Sequence, residues 1–253
     1  MMIQNSTTRF SNRVDNYVKY RPGYPMEIVD FLQAEYQLSN DKTIADIGSG
    51  TGISSKLFLD NGYKVIGIEP NKEMREKSEE LLHNYKNFST VAGTAENTLL
   101  ENHSVDTIIA GQAFHWFDKT VCRKEFERIL QPHGSAVLIW NERLADSDFE
   151  KEYDRLIVKH SIDYVKVDHR NIDEKSIKDF FAPHTVELKI FSNRQIFDFD
   201  GLRGRLLSSS YAPSENHAGY QPMLDDLKTL FKKYQTNNRI TIHYATKVYV
   251  TKF

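Results

Sequence analysis

Between about residue 42 and residue 140, short β-branched apolar runs alternate with polar stretches whose apolar residues recur at helical spacing. The runs are Thr43-Ile44-Ala45-Asp46-Ile47, Lys64-Val65-Ile66-Gly67-Ile68, Val105-Asp106-Thr107-Ile108-Ile109-Ala110 and Ala136-Val137-Leu138-Ile139-Trp140, with a weaker one at Phe88-Ser89-Thr90-Val91-Ala92. Near-continuous hydrophobicity is what strands buried on both faces require, so these runs read as parallel strands of an α/β sheet. Ser54 to Asn61, Lys72 to Tyr85 and Thr120 to Leu130 have helical spacing, and Pro132-His133-Gly134 stops the last of them. Right-handed crossovers would distribute these helices over both faces of the sheet.

The flanks differ in character. Residues 1–40 carry the turn-forming Arg21-Pro22-Gly23-Tyr24-Pro25, followed by a predicted helix from Met26 to Tyr36. Residues 141–180 are highly charged, with helical spacing at Phe149, Tyr153, Leu156, Ile157 and His160, and are expected to form a small helical cap over one end of the sheet. Beyond them the pattern predicts a strand at Val186 to Phe191, helices at Gly201 to Tyr211 and Met223 to Tyr234, and a last strand at Arg239 to Lys252. The expected organisation is a single domain over 1–253, with a lid at about 1–40, a ligand-binding core at about 41–140, the cap at about 141–180, and C-terminal sheet and substrate-side helices at about 181–253.

Length and composition narrow the class. The 253 residues suit one large α/β domain. Hydrophobic residues at 40% and charged residues at 27% are ordinary globular usage, and no apolar run approaches the about 20 residues needed to span a bilayer. The opening MMIQNSTTRFSNR lacks the apolar core of a secretory signal, and the single cysteine, Cys122, has no disulfide partner. A cytoplasmic protein with no membrane association is expected. A formal charge of −2, with no basic stretch interleaved with aromatics, gives no expectation of nucleic-acid binding. The histidines show no tight spacing with cysteine or carboxylates, so no metal is expected.

The strongest local signal is Asp46-Ile47-Gly48-Ser49-Gly50-Thr51-Gly52, directly after a strand and directly before a helix. Glycines there tolerate positive φ and admit a ligand close to the backbone, in the position where open α/β sheets bind ligands. A plain tight turn would also use them. Glu69 follows the second strand, nineteen residues beyond Gly50, at the spacing where an acid accepts from both ribose hydroxyls of an adenosine. The alternative is an acid opening the next helix. A dinucleotide fingerprint needs G-x-G-x-x-G, whereas the third glycine here, Gly52, is one position early. Asp46 would oppose a diphosphate but suit a ligand carrying an ammonium and a sulfonium.

In this ordered set the chain resembles the class I S-adenosylmethionine-dependent methyltransferases. Residues 43–52 resemble their first motif and Val65 to Met74 their second, which implies that Glu69 binds ribose and that Asn71 and Met74 pack near adenine. Ala92-Gly93-Thr94-Ala95-Glu96 looks like the adenine-side segment, with Glu96 or the backbone at Ala95 reaching the adenine amino group. Asp106 to Phe117 looks like the fourth motif and Arg128 to Gly134 like the turn before the fifth strand. Through Arg21 to Tyr24 with Pro25, and through Gln112-Ala113-Phe114-His115-Trp116-Phe117, the closest likeness is to the branch of trans-aconitate and other small-molecule methyltransferases. The implied fold is a Rossmann-like, doubly wound, seven-stranded and mostly parallel sheet with an antiparallel last strand and a small helical cap. The implied cofactor is S-adenosyl-L-methionine, held by Asp46, Gly48, Ser49, Gly50, Gly52, Glu69, Asn71, Met74, Ala95, Glu96 and the Gln112 backbone.

Methyl transfer from a sulfonium is an in-line displacement, so the protein chiefly aligns the reactants and excludes water. Phe114, Trp116 and Phe117 are expected to wall the site. His115 is the candidate base for a protonated nucleophile, with loop anchoring as its other reading. By the resemblance the N-terminal segment, with Arg13, Tyr17, Tyr20, Arg21 and Tyr24, is a lid, Tyr17 or Arg21 facing cofactor or substrate; packing on the outside of the fold is the other option. Arg203 and Arg205 lie in a segment resembling the family's substrate-side helix, where either an acidic substrate or solvent would satisfy them. The sequence reading is methyl transfer to a small-molecule acceptor, by O-, N- or carboxyl-methylation. The alternatives are a nicotinamide-dependent oxidoreductase, which the missing Tyr-x-x-x-Lys pair disfavours, and a non-catalytic binder of the same cofactor.

Overall fold

In the computed structural model, which describes residues 18–162, 174–209 and 211–253, seven strands form one sheet. They are β1 (Thr43–Ile47), β2 (Lys64–Ile68), β3 (Phe88–Val91), β4 (Val105–Gly111), β5 (Leu130–Arg143), β6 (Glu187–Phe197) and β7 (Ile240–Lys252). Their order is β3-β2-β1-β4-β5-β7-β6. Only β7 runs against the rest, pairing antiparallel with both β5 and β6. The chain moves outward one way from β1 to β3 and the other way from β4, so the strand order reverses between β1 and β4. There the loops after the two strands diverge and leave a cleft at their carboxyl ends.

Alternation along each strand assigns its side chains to two faces. On β5, Ala136, Leu138 and Trp140 join one cluster, with Ala45 and Ile47 of β1, while Val137 and Ile139 join the other, with Ile44. The first face is covered by α4 (Lys119–Ile129) and α6 (Glu174–Phe181), the second by α1 (Glu27–Tyr36) and α2 (Ile53–Leu59). A third cluster joins α5 (Asp148–His160), α7 (Phe199–Leu207) and α8 (Tyr220–Tyr234) to the β7 residues Ile240, Ile242 and Tyr244. No helix among the described residues is long and apolar enough to cross a membrane.

The helix boundaries follow local chemistry. Asn71 accepts from Met74 N at 2.9 Å and caps α3 (Lys72–Leu81), and Asp118 caps α4 through Thr120 N and Val121 N. Ser147 and Glu150 form a capping box on α5. The same Glu150 carboxylate accepts from His243 N at 3.0 Å and contacts its Nδ1 at 2.9 Å, which ties α5 to β7.

Three expectations change. Strand β5 begins at Leu130, not Ala136, because pairing with β4 resumes directly after α4 and the expected turn becomes a register irregularity within the strand. Strand β6 continues six residues past Phe191, to Phe197, held by continuous pairing with β7. The charged 141–180 segment does not act as one cap. Its first helix buries Phe149, Tyr153, Leu156 and Ile157 in the third cluster, whereas α6 inserts Ile177, Phe180 and Phe181 beside Trp140 under the sheet.

The segment ahead of α1 straps across the carboxyl end of the sheet. The Gly23 carbonyl accepts from Asn141 Nδ2 at 3.1 Å and Asn193 Nδ2 at 2.9 Å, and the Tyr20 carbonyl accepts from Gln195 Nε2 at 3.1 Å. The Tyr20 ring lies on α7 at Gly204, where any Cβ would overlap it. We therefore expect Gly204→Ala to destabilise the protein by about 1–3 kcal/mol, overpacking outweighing the gain in helix propensity of about 1 kcal/mol. Urea unfolding of this variant beside Gly23→Ala, whose Cβ would meet nothing within 4 Å, checks it; equal stabilities would mean that Tyr20 is not fixed on α7.

Candidate functional site

The loop from β1 to α2 is built on glycines in the left-handed region, with φ of 70° at Gly48 and 56° at Gly50. A Cβ on Gly48 would stand 2.7 Å from Ala113 Cβ, so this residue lets the β1 and β4 loops touch. Gly50 has only Met74 Cε at 3.3 Å from such a Cβ. Gly52, also at positive φ, packs on Leu82. The loop is pinned to the neighbouring strand by Gly48 N and Ser49 N, which both donate to the Ile68 carbonyl at 2.8 and 3.2 Å.

Glu69 joins the two strand ends chemically. Its Oε2 accepts from Gly50 N at 2.9 Å and its Oε1 from Asn71 N at 2.8 Å, while its carbonyl accepts from Arg75 Nη1 at 2.8 Å. Burial raises the carboxyl pKa, and the two amide bonds and Arg75 oppose that shift only in part. Each oxygen uses one acceptor direction on the protein and keeps another for a ligand hydroxyl. Met74 is buried beneath Gly50, so Asn71 and Met74 stand together beside the glycine loop.

Asp46 is wholly buried. Its Oδ2 accepts from Ser54 Oγ at 2.7 Å and Ser55 Oγ at 2.6 Å, but its Oδ1 has no partner. Burial pushes its pKa up to about 6 against the two serine bonds. Ser49 Oγ and Thr51 Oγ1, like Asp46 Oδ1, are sealed without partners among the described residues. Orphaned buried polar atoms are uncommon in folded chains, and three within six residues of one loop fit a polar, partly cationic ligand. Ser54 and Ser55 escaped the sequence reading, although two hydroxyls in the helical turn after a glycine loop were the signal.

On the other side of the cleft, Gln112 takes a φ of 56°, its N–H donating to the Ile139 carbonyl at 2.9 Å and its Nε2 to the Asn141 carbonyl at 3.2 Å. Ala95 is buried, and Glu96 accepts from Asp118 N at 2.8 Å, fastening the adenine-side segment to the start of α4. Phe114 does not wall the cleft. It is buried against Phe180, Phe117 and Trp140, with ring centroids 4.8, 5.9 and 6.2 Å away, because the short turn Phe114–Trp116 directs its first ring under the sheet. Phe117 faces Gly48. His115 and Trp116 are exposed and lie 4.7 Å apart. The protein crowded around His115 lowers its imidazole pKa below the usual histidine value, and among the described residues nothing hydrogen-bonds the ring.

Of the lid residues, Arg13 and Tyr17 lie outside the described residues. Arg21 Nη2 donates to the Ser208 carbonyl at 3.1 Å, and the Tyr24 hydroxyl stands over Gly111 at the end of β4. The two arginines of α7 separate. Arg203 is exposed near Asp200, at 3.8 Å, whereas Arg205 is buried, donating to Tyr244 Oη and Ser209 Oγ. A solvated helix face, expected for either, holds only for Arg203. No group of three or more metal-ligating side chains occurs among the described residues.

Residues 45–138 match a methyltransferase domain family. An uncharacterized methyltransferase of Schizosaccharomyces pombe is 26% identical over 247 residues, 95% of either chain. One from Mycobacterium tuberculosis is 34% identical over 136 residues, 53% of this chain and 52% of the relative. Among solved structures, a candidate type II methyltransferase of Anaeromyxobacter dehalogenans superposes with a TM-score of 0.68 at 18% identity, covering 92% of this chain and 98% of that one. Phosphoethanolamine N-methyltransferase 2 of Haemonchus contortus, solved with S-adenosyl-L-methionine, gives 0.60 at 14% identity, covering 99% of this chain and 59% of that one. The stretch from β1 to β5 thus matches a methyltransferase domain, and the whole chain shares its fold with solved methyltransferases, one of them holding S-adenosyl-L-methionine.

Two outcomes follow for the cofactor side. Glu69→Ala should weaken S-adenosylhomocysteine binding by roughly 1–3 kcal/mol, the cost of losing hydrogen bonds to a charged group; an unchanged dissociation constant in a folded variant would reduce Glu69 to a loop brace. Asp46 has a raised folded pKa, so its contribution to the stability of the ligand-free protein is present below its ordinary value of 3.8 and is lost as pH rises through about 6. A ligand ammonium favours the ionised form. Calorimetry should therefore show S-adenosylhomocysteine binding tighten as pH rises through about 6 in the wild type, and show no such slope in Asp46→Asn.

Proposed function

We propose that this methyltransferase moves the methyl group of S-adenosylmethionine to a small-molecule acceptor in the cleft between the glycine loop and the Gln112-to-Phe117 turn. The observation that carries the reading is the convergence of Glu69 with the orphaned polar atoms of Asp46, Ser49 and Thr51 at the reversal of strand order. Gly48, Gly50 and Gly52 give the ligand its approach, Asn71, Met74, Ala95 and Glu96 form the adenine side, and Asp46 offsets the positive end. The bound cofactor supplies an electrophilic methyl carbon; the chain's own residues bind, orient and exclude water.

The strap of Tyr20 to Tyr24 covers the cleft from above β4, which favours a small acceptor over a polymer. The likeness of Arg21 to Pro25 and of Gln112 to Phe117 to the trans-aconitate branch supports the same choice, as does the small amine handled by the Haemonchus relative. We read the chain as a single methyltransferase domain with residues 1–40 as its lid, working in a reducing cytoplasm where Cys122 stays a thiol.

His115 is the proton acceptor for an alcohol, phenol or amine nucleophile. It is exposed at the turn after β4 and has no protein hydrogen-bond partner among the described residues, and an imidazole is mostly neutral at pH 7. Loop anchoring through hydrogen bonds would need partners that the ring does not have among the described residues.

Calorimetry should show binding of S-adenosylhomocysteine and none of NAD; the reverse result would sink the methyltransferase reading in favour of hydride chemistry. In single-turnover assays, His115→Ala should lower the rate by about 10²–10⁴-fold while cofactor affinity barely moves, because the proton transfer occurs only in the transition state. In the wild type the rate should rise with pH through a limb lying below the ordinary histidine range. Near-normal turnover of the variant would leave alignment alone as the mechanism.

A further inference from the structure

The two edges of the sheet are unlike. At one edge β3 has four residues, whereas at the other β6 has eleven and pairs with β7 along its whole length without a bulge. No described strand pairs with the outer side of β6, and the strand contains no proline. A long, regular, proline-free edge is a ready template for another strand.

The backbone groups that this edge offers follow from the ladder behind it. Leu144 N donates to the His243 carbonyl and Phe253 N to the Gly134 carbonyl, both at 2.9 Å. The odd-numbered residues of β7 therefore face β5, and its even-numbered residues face β6. Opposite the latter stand Glu187, Lys189, Phe191, Asn193, Gln195 and Phe197, whose N–H and C=O groups are engaged by β7. Leu188, Ile190, Ser192, Arg194 and Ile196 turn theirs outward. These five share one face of the strand, and on it Ile190 and Ile196 are 54% and 53% exposed.

This edge is complementary to itself. Two copies related by a two-fold axis perpendicular to the sheet lie antiparallel, each even-numbered residue opposing an even-numbered one. An axis through Ser192, the middle residue of β6, overlaps all eleven residues. Leu188 then opposes Ile196 of the second copy, Ile190 opposes Arg194, and Ser192 opposes its own copy, so every outward N–H and C=O finds a partner. Lys189 opposes Gln195 and Glu187 opposes Phe197, so no like charges meet. An axis through Lys189 or Arg194 would instead set like charges face to face. The carboxyl ends of the two sheets point in opposite directions under this symmetry, which leaves both clefts open.

We propose that the protein forms a two-fold homodimer in which the β6 strands pair antiparallel about Ser192, joining two seven-stranded sheets into one continuous sheet. A second copy suits this edge because one strand supplies both the row of outward groups and its complement, and the pairing closes at two.

Sedimentation equilibrium of the full chain, from roughly micromolar to roughly millimolar concentration, tests it. The expected result is a monomer–dimer equilibrium. Ser192→Pro removes an outward N–H and leaves the β7 ladder intact, and should weaken association by about tenfold or more. Ile190→Lys, opposite Arg194 of the second copy, should also weaken it, and Ile190→Glu should associate about tenfold more tightly than Ile190→Lys. Val158→Lys, which replaces an exposed apolar side chain on α5, should leave association unchanged. Circular dichroism verifies folding; if Ser192→Pro does not fold, the two Ile190 variants carry the comparison. A wild type that stays monomeric at the highest concentration overturns the proposal. So does association that ignores the β6 substitutions, falls equally in Val158→Lys, or grows beyond two copies. Slow hydrogen exchange of the outward β6 amides in a monomer would mean that the edge is covered from within its own chain, which overturns it too.

Discussion

Two backbone N–H groups from different loops, those of Gly50 and Asn71, share one carboxylate, and the geometry of the cofactor side depends on that shared acceptor. The β1 loop turns on three left-handed glycines and is held to β2 at its start by Gly48 N and Ser49 N on the Ile68 carbonyl. The β2 end alone is a capped helix start. Glu69 makes them one rigid surface, and it does so with charge-assisted bonds, which are shorter and stronger than neutral ones. If the same oxygens take the ribose, as proposed above, the brace and the ligand contact are a single group, and cofactor recognition and order in the loop are coupled through that side chain.

Asp46 and Glu69 both lie buried under the glycine loop. Their burial costs stability, and that cost is tolerable where a ligand of the opposite sign completes the neighbourhood. On the reading proposed above, a cofactor carrying an ammonium and a sulfonium would supply that sign, and the two carboxyls would orient it by their field before contact. Arg143 differs, since Asp154 already provides its counter-charge within the protein.

How much of this was legible in the sequence depends on burial. β1, β2 and β4 were readable because both their faces are covered, which leaves an apolar run that nothing else produces. β6 was readable only in its first half. It is an edge strand whose outer positions, Ile190 and Ile196 among them, face solvent, and Asn193-Arg194-Gln195 breaks its alternation while serving the strap and β7. Phe114 looked like a cleft wall because it shares a run with His115 and Trp116, but a single helical turn sends neighbouring side chains in different directions. For the same reason Arg203 and Arg205 are indistinguishable by composition and opposite in fate: two positions along α7 rotate one to solvent and the other into the cluster. The glycine loop and Glu69 were legible because their backbone demands admit few residue types; the burial of Arg205 was not, since Tyr244, which takes its Nε donor, comes from β7, far along the chain.

The position of β7 has a consequence for how the molecule is made. It is the last strand in sequence, yet it sits between β5 and β6 and is hydrogen-bonded along both edges. During synthesis β6 emerges with no neighbour to pair with, since β5 and β6 do not touch in the finished sheet. Until the β7 residues appear, the completed β5 edge and both sides of β6 stay unsatisfied, and the exposed isoleucines of β6 add stickiness to open backbone. The amino-terminal half can condense early around local βαβ contacts, while the far half waits on its most distant pairings, which are the slowest to close. Nascent chains of this topology should therefore pass through a stage in which the glycine-loop half is already shaped and the β6 edge is still an aggregation hazard, so a ribosome-associated chaperone would matter most between the emergence of β6 and that of β7.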